Sequence, residues 1–250
     1  MDKLTIAITT KNKYSLTRYC LESISLTLPP DAYEILIVDN GSNDETLELA
    51  NFHRFVSNTA GGLYESWNIA VRETRTDYVA ILQNDVYFCT PDWWHWFRLA
   101  ATQTDAQWLY PVLVESQQIV PRTYDIAKAA AGKSDLDFAY RYGTIDSPCF
   151  VIPRSLFDVV GPFDSRFDIW YGTEDYEIRM IEAGIRHGQV RNVVVRHFGH
   201  STLVVNSRET RPYGLKSGME PAVVERAKRD YELFRTKYPL GPAKPGGTEL

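Results

Sequence analysis

Cysteine is scarce in this 250-residue chain: Cys20, Cys89 and Cys149, odd in number and far apart. That spacing suits neither a disulfide framework nor a zinc knuckle, so a reducing, cytoplasmic setting is expected. A basic surplus is also missing. Lys and Arg number 27 against 32 Asp and Glu, a formal net charge of -5, which leaves no cation excess for an extended nucleic-acid footprint. No apolar run approaches a membrane span, and residues 4–9 read as a strand where a signal peptide would need its charged and apolar regions. Neither G-x-G-x-x-G nor the nucleophile elbow G-x-S-x-G occurs. Ala131-Gly132-Lys133-Ser134 mimics the end of a phosphate-binding P-loop, but Ala127 holds the required earlier glycine position and no buried strand precedes it. What remains is an ordinary globular composition, 44% apolar and 24% charged, long enough to bury a sizeable core.

The first ninety residues alternate strand and helix patterns. Apolar runs at 4–9, 33–38, 52–56 and 78–82 read as strands; residues 16–25, 46–50 and 61–71 carry helical spacing. Ser15 is a candidate N-cap for the first helix, and Asp44 or Ser42 for the second. This alternation predicts an α/β fold, a Rossmann-related, mostly parallel sheet flanked by helices. Beyond it, Thr90-Pro91-Asp92 starts a helix with Trp93, Trp96, Phe97 and Ala100 on one face; Trp94 falls off that face and is a candidate exposed contact. Residues 116–140 read as an insertion or flexible connection. Strands are expected at 144–153 and 189–197, and helices at 155–160, 174–183 and 220–238. The division expected is one domain over 1–204, in halves 1–90 and 91–204, then a loop, C-terminal helix and flexible tail over 205–250.

Polar clusters follow the carboxyl ends of these strands: Thr9-Thr10-Lys11-Asn12, Asp39-Asn40-Gly41-Ser42, Gln83-Asn84-Asp85 and His197-Phe198-Gly199-His200-Ser201. Strand ends on one edge of a parallel sheet converge, so clusters separated in sequence share a cleft. A carboxylate there can hold a divalent cation, and the cation a diphosphate. Each cluster alone is also explained by a turn or a helix cap.

The motifs, taken in order, resemble glycosyltransferases of the GT-A fold, of the family-2 type that builds bacterial surface glycans. The resemblance spans about residues 4–201. It rests on the strand 33–38 with Asp39-Asn40-Gly41-Ser42, and on Asn58-Thr59-Ala60-Gly61-Gly62 with Trp67-Asn68-Ile69-Ala70. Further on it rests on Gly161-Pro162-Phe163-Asp164, Glu174-Asp175-Tyr176-Glu177-Ile178-Arg179, and the late His197 to Ser201 element. It implies transfer from a nucleoside-diphosphate sugar to a saccharide or other hydroxyl acceptor, with inversion, in glycan or polysaccharide biosynthesis. Asp39 would accept from the base, with Thr9, Thr10 and Asn12 lining that pocket and Asn84 beside it. Asp85 would hold Mn2+ or Mg2+ and the diphosphate. His197 would be a second ligand, favouring Mn2+ because imidazole is softer than carboxylate; His200 is the alternative. The family's D-x-D pattern is broken here by Gln83. Asp175 would be the general base with Glu174 beside it, their order open.

Arg208, Arg211 and Lys216 lie in a Gly- and Pro-containing stretch that could close over the diphosphate, Arg211 pairing with its charge, or could be a solvated linker. Two rivals remain. A nucleotidyltransferase also sets carboxylates at strand ends, but needs a Gly-rich basic loop that Thr10-Lys11-Asn12-Lys13 does not supply. A catalytically silent sugar-nucleotide or glycan-binding module is favoured by Gln83. Exposed aromatics and the last helix also leave room for a homo-oligomer.

Overall fold

The computed structural model describes residues 3–115, 132–141, 148–198 and 221–239. In chain order these form β1 (Leu4–Thr10), α1 (Tyr14–Thr27), β2 (Tyr33–Asp39), a 3-10 helix (Glu45–Asn51), β3 (Arg54–Ser57), α2 (Leu63–Glu73), β4 (Tyr78–Gln83) and β5 (Val86–Phe88). There follow α3 (Trp93–Gln103), β6 (Ala106–Glu115), β7 (Phe138–Tyr140), β8 (Cys149–Pro153), α4 (Leu156–Val160), α5 (Gly172–Glu182), β9 (Arg186–His197) and α6 (Pro221–Lys237).

The strands make one sheet in the order β3-β2-β1-β4-β8-β6-β9-β5, with β7 also on β9. The first half is parallel as the alternation predicts: β1 pairs with β2 and β4, and β2 with β3. From β8 onward the sheet is mixed, because β8 is antiparallel to both β4 and β6, while β9 runs parallel to β6. One sheet therefore continues across residue 90. β6 and β7 carry no expectation from the sequence; β7 forms within the stretch read as a connection, and most of that stretch (116–131) lies outside the described residues.

Both faces of the sheet are buried, and its period-2 alternation divides the apolar residues between them. Ile6, Ile8, Ile37, Ala80 and Leu82 pack with Cys20 and Ile24 of α1 and Trp93, Trp94 and Phe97 of α3. Ala7, Leu36, Val38, Val79 and Ile81 pack with Tyr64 and Trp67 of α2, Tyr176 and Met180 of α5, and Phe234 of α6. On this second side Phe163 stacks on Tyr176 at 4.1 Å and Trp108 on Phe150 at 4.3 Å.

Trp94 corrects its expectation. It is 4% exposed and packs edge-on against Tyr78 at 5.7 Å, while its neighbour Trp93 stacks on Phe88. Helix α3 is covered over an arc wide enough to bury consecutive residues, and Trp96 is the half-buried one. Ser15 does not cap α1 either. The helix starts after Lys13, a left-handed residue (φ 62), and the Tyr14 N–H donates to Asp44 instead. Asp44 does cap the 3-10 helix, accepting from the Thr46 N–H at 3.0 Å, so one carboxylate serves two helix starts.

Candidate functional site

The register aligns the carboxyl ends of the parallel strands, with Thr10 opposite Asp39, Thr9 opposite Gln83 and Asp39 opposite Ser57. The expected nucleotide-side residues are therefore together, and most of their polar atoms are engaged with one another. The buried Asp39 carboxylate accepts from the Gly41 N–H, the Ser42 N–H and the Ser42 hydroxyl. The Ser42 hydroxyl oxygen accepts from the Asn12 N–H at 2.7 Å, and the Asn12 side chain accepts from the Asn43 N–H at 2.8 Å. Two loops are thus laced into one platform, helped by left-handed Asn12 (φ 56) and Gly41 (φ 80). The Asn84 amide sits within reach of the Thr10 and Thr17 hydroxyls and the Asn12 carbonyl, and the Thr9 hydroxyl donates to the Leu82 carbonyl. These side chains gather at the carboxyl ends of β1, β2 and β4. A carboxylate has about four acceptor positions, so Asp39 keeps capacity for one more donor.

Asp85 and His197 meet. Only Asn84 and Asp85 separate β4 from β5, and β5 pairs with the far end of β9, Val86 opposite His197. The sheet thereby curls back so that the end of β9 lies against the end of β4, and the Phe198 N–H donates to the Asp85 carbonyl. His197 Nε2 stands 3.4 Å from Asp85 Oδ1, both residues being buried. Two donors of one cation at metal–ligand distances near 2.1 Å lie about 3 Å apart when adjacent in an octahedron. The pair, one hard oxygen and one imidazole nitrogen, could together hold Mn2+ or Mg2+. No cluster of three or more metal-binding side chains occurs among the described residues. Gln83, half-buried on β4, adds no charge. Burial pushes the nearby Cys20 thiol up, with Asp85 adding to the effect, and burial also raises the Cys149 thiol. Both are neutral packing groups rather than nucleophiles.

The acid pair opens α5, where the positive end of the helix dipole favours carboxylates. The start of α5 is fitted to the start of α2. The Leu63 N–H donates to the Asp168 carbonyl and the Tyr64 hydroxyl to the Ile169 carbonyl, each at 3.0 Å. A Cβ on Gly172 would run into the Tyr64 ring, so glycine permits this approach. The two acids then part. Asp175 is 0% exposed; its carboxylate takes bonds from Arg179 Nε (3.0 Å), the Tyr238 hydroxyl (2.9 Å) and Lys237. Glu174 is half-exposed and accepts from the Thr173 hydroxyl at 2.9 Å.

Sequence reasoning missed a group on α6. Asp230, fully buried, accepts from the N–H groups of Asp168, Ile169 and Trp170. Arg226 and Arg229 pair with Asp168. The helical spacing identifies α6, but an acid on its buried stripe reads from sequence as a surface charge. Burial works against ionisation of Asp168; Arg226, then Arg229 and Lys11, overcome it and hold its carboxyl below the usual range. Arg211, with Arg208 and Lys216, and His200 fall outside the described residues.

A mixed α/β sheet with helices on both faces, and polar strand ends gathered along one edge, defines a GT-A-like protein. Residues 5–161 match the family described as glycosyl transferase family 2, and the chain belongs to that family. No curated protein matches it. Among solved structures it is similar to GalNAc-T7 with UDP, GalNAc and Mn2+, at 15% identity over 79% of this chain and 44% of that one (TM-score 0.63). It is similar too to the mannosyltransferase PcManGT from Pyrobaculum calidifontis with GDP-Man and Mn2+, at 18% identity over 78% of this chain and 56% of that one (TM-score 0.59). S. aureus TarS aligns at 14% identity over 77% of this chain and 36% of its own (TM-score 0.56). The chain thus spans between about a third and somewhat over half of these proteins' length. At such identities the likeness is one of fold.

Proposed function

We propose that the protein transfers a sugar from a nucleoside-diphosphate donor to a hydroxyl acceptor, inverting the anomeric centre, in the assembly of a glycan or polysaccharide. The observation that carries this is the meeting of Asp85 and His197, brought together by the short β4–β5 connection on the edge where the other polar strand ends lie. Family membership and the fold agree with it, and two of the similar structures hold a sugar or sugar nucleotide together with Mn2+.

In this reading the platform of Asp39, Ser42, Asn12, Thr10, Thr9 and Asn84 receives the nucleotide, Asp39 using its remaining acceptor capacity for the base. Arg211 belongs to the donor side as a cation for the diphosphate. Asp85 and His197 hold Mn2+ or Mg2+, which when bound supplies a Lewis acid for the charge on the departing diphosphate. The acceptor hydroxyl loses its proton to a carboxylate as its oxygen bonds to the anomeric carbon, and the bond from that carbon to the diphosphate oxygen breaks. One displacement of this kind inverts the centre. Of the acid pair, Glu174 is the better base, because a base must come within hydrogen-bond reach of the proton it takes. The full enclosure of Asp175 between Arg179, Lys237 and Tyr238 supports a different task for it, fixing the first turn of α5.

A silent binding module is the second reading, favoured by Gln83 where a second acid would stand. Incubation with UDP-, GDP- and TDP-sugars plus Mn2+ separates the two. Donor hydrolysis or transfer that disappears in Asp85→Asn supports the enzyme; tight binding of a donor without turnover, for any acceptor offered, supports the module.

A further inference from the structure

Helix α6 lies beyond the stretch that matches the family, yet successive turns of it follow the segment leading into the acid pair. Asp230 accepts from three consecutive backbone N–H groups, Asp168 at 3.1 Å, Ile169 at 2.9 Å and Trp170 at 3.1 Å. One turn on, Phe234 lies 5.2 Å from the ring of Tyr171, and Tyr231 lies 5.7 Å from it. At the end of the helix Lys237 and then Tyr238 reach Asp175. The same short segment gives its carbonyls of Asp168 and Ile169 to the start of α2. It is gripped on both sides, by α2 through its carbonyls and by Asp230 through its N–H groups.

Asp230 is an expensive way to hold a loop. Removing a carboxylate from water is costly, and a buried charge is weak evidence for stability as such. Among the described residues its nearest cation, Arg229, is 3.8 Å away with an exposed side chain. What three converging N–H groups do define is a single backbone conformation, just ahead of left-handed Tyr171 (φ 64) and Gly172. Glu174 follows within the first turn. We propose that Asp230 is a positioning residue of the transfer site: through the 168–170 backbone it sets where α5 begins, and so where the acid pair stands.

This inference rests on the proposed glycosyl transfer for its kinetic arm only. In the full chain, Asp230→Asn keeps the shape but removes the charge and turns an N–H donor toward N–H groups. A misplacement of about 1 Å in a reacting geometry can cost roughly a hundredfold. The expected result is a kcat lower by ten- to a hundredfold, about, with donor KM within twofold of the parent, assayed well below the variant's melting temperature. Hydrogen exchange should quicken at 168–170 and also across 172–176. Tyr238→Phe, which removes a single hydroxyl and leaves the ring packed on Phe234, guards against a variant that does not fold; it should lower kcat less, again with donor KM kept. An unchanged kcat, or faster exchange confined to 168–170, overturns the proposal and leaves Asp230 a local clasp. If the parent protein turns over no donor, the functional reading fails, and the exchange pattern across 172–176 still decides the positioning role.

Discussion

The acid pair gives the sharpest division of labour, and paired substitutions test it. Glu174→Gln changes a half-exposed side chain that accepts from the hydroxyl of its neighbour Thr173. Stability should stay within about 0.5 kcal/mol, while transfer falls by about 10²–10⁴-fold, the range typical of a general base. Asp175→Asn should act mainly on the fold, with a loss of rate smaller than that of Glu174→Gln, passed on through the first turn of α5. It removes the charge facing Arg179 and Lys237 in a fully buried position. Breaking a buried pair costs about 3–5 kcal/mol. The two cations retain 22% and 29% side-chain exposure, and partial hydration brings the expectation to about 2–3 kcal/mol. For a chain of this size that lowers Tm by about 5–10 °C. Calorimetry with initial-rate assays, both variants well below their melting temperatures, reads the two effects separately. Asp175→Asn with parental Tm and a rate lowered a hundredfold, beside a Glu174→Gln protein of near-parental rate, would refute the assignment.

Other outcomes follow from the same geometry. Replacing His197 by Ala should erase a preference for Mn2+ over Mg2+ in donor binding, measured by titration calorimetry, because the softer of the two ligands is lost; an unchanged preference would remove His197 from the site. Gly172→Ala should destabilise by about 1–3 kcal/mol through collision with Tyr64, seen as a lower urea midpoint. Acid should weaken the fold. Burial opposes ionisation of Asp44, but the Thr46 and Tyr14 bonds outweigh it; Arg166 above all lowers Asp164, and Arg226 leads the lowering of Asp168. All three carboxyls are depressed in the folded state, so their stabilisation is complete above the unfolded value near 4 and is lost as pH falls through the folded values. Urea titrations should show a plateau from about pH 6 to about pH 5 and a decline below about pH 4; a profile flat to about pH 2 would contradict it.

The strand–helix alternation of the first half was legible because each strand there is an apolar run flanked by turn residues, and the parallel order followed from it. β6 was not, since Trp108, Tyr110 and Pro111 blur its pattern, and β7 is three residues long. Trp94 misled because an amphipathic reading assumes one buried stripe, whereas α3 is covered over a wider arc. Asp85 and His197 were legible as polar strand ends; their contact depends on the β4–β5 curl, which no local pattern encodes. Asp230 was illegible for the reason that makes it interesting: its partners are backbone N–H groups some sixty residues away in sequence.

The central claim is that Asp85 and His197 form the metal-assisted end of a sugar-nucleotide site. Its most direct test is thermal stability of the parent protein and of Asp85→Asn against a panel of nucleoside diphosphates, with and without Mn2+. A ligand present at about a hundred times its Kd stabilises by about 2.7 kcal/mol, or about 5–10 °C here. The account predicts such a shift for one nucleotide, dependent on Mn2+ and absent in Asp85→Asn; equal shifts in both proteins, or none without regard to metal, would contradict it.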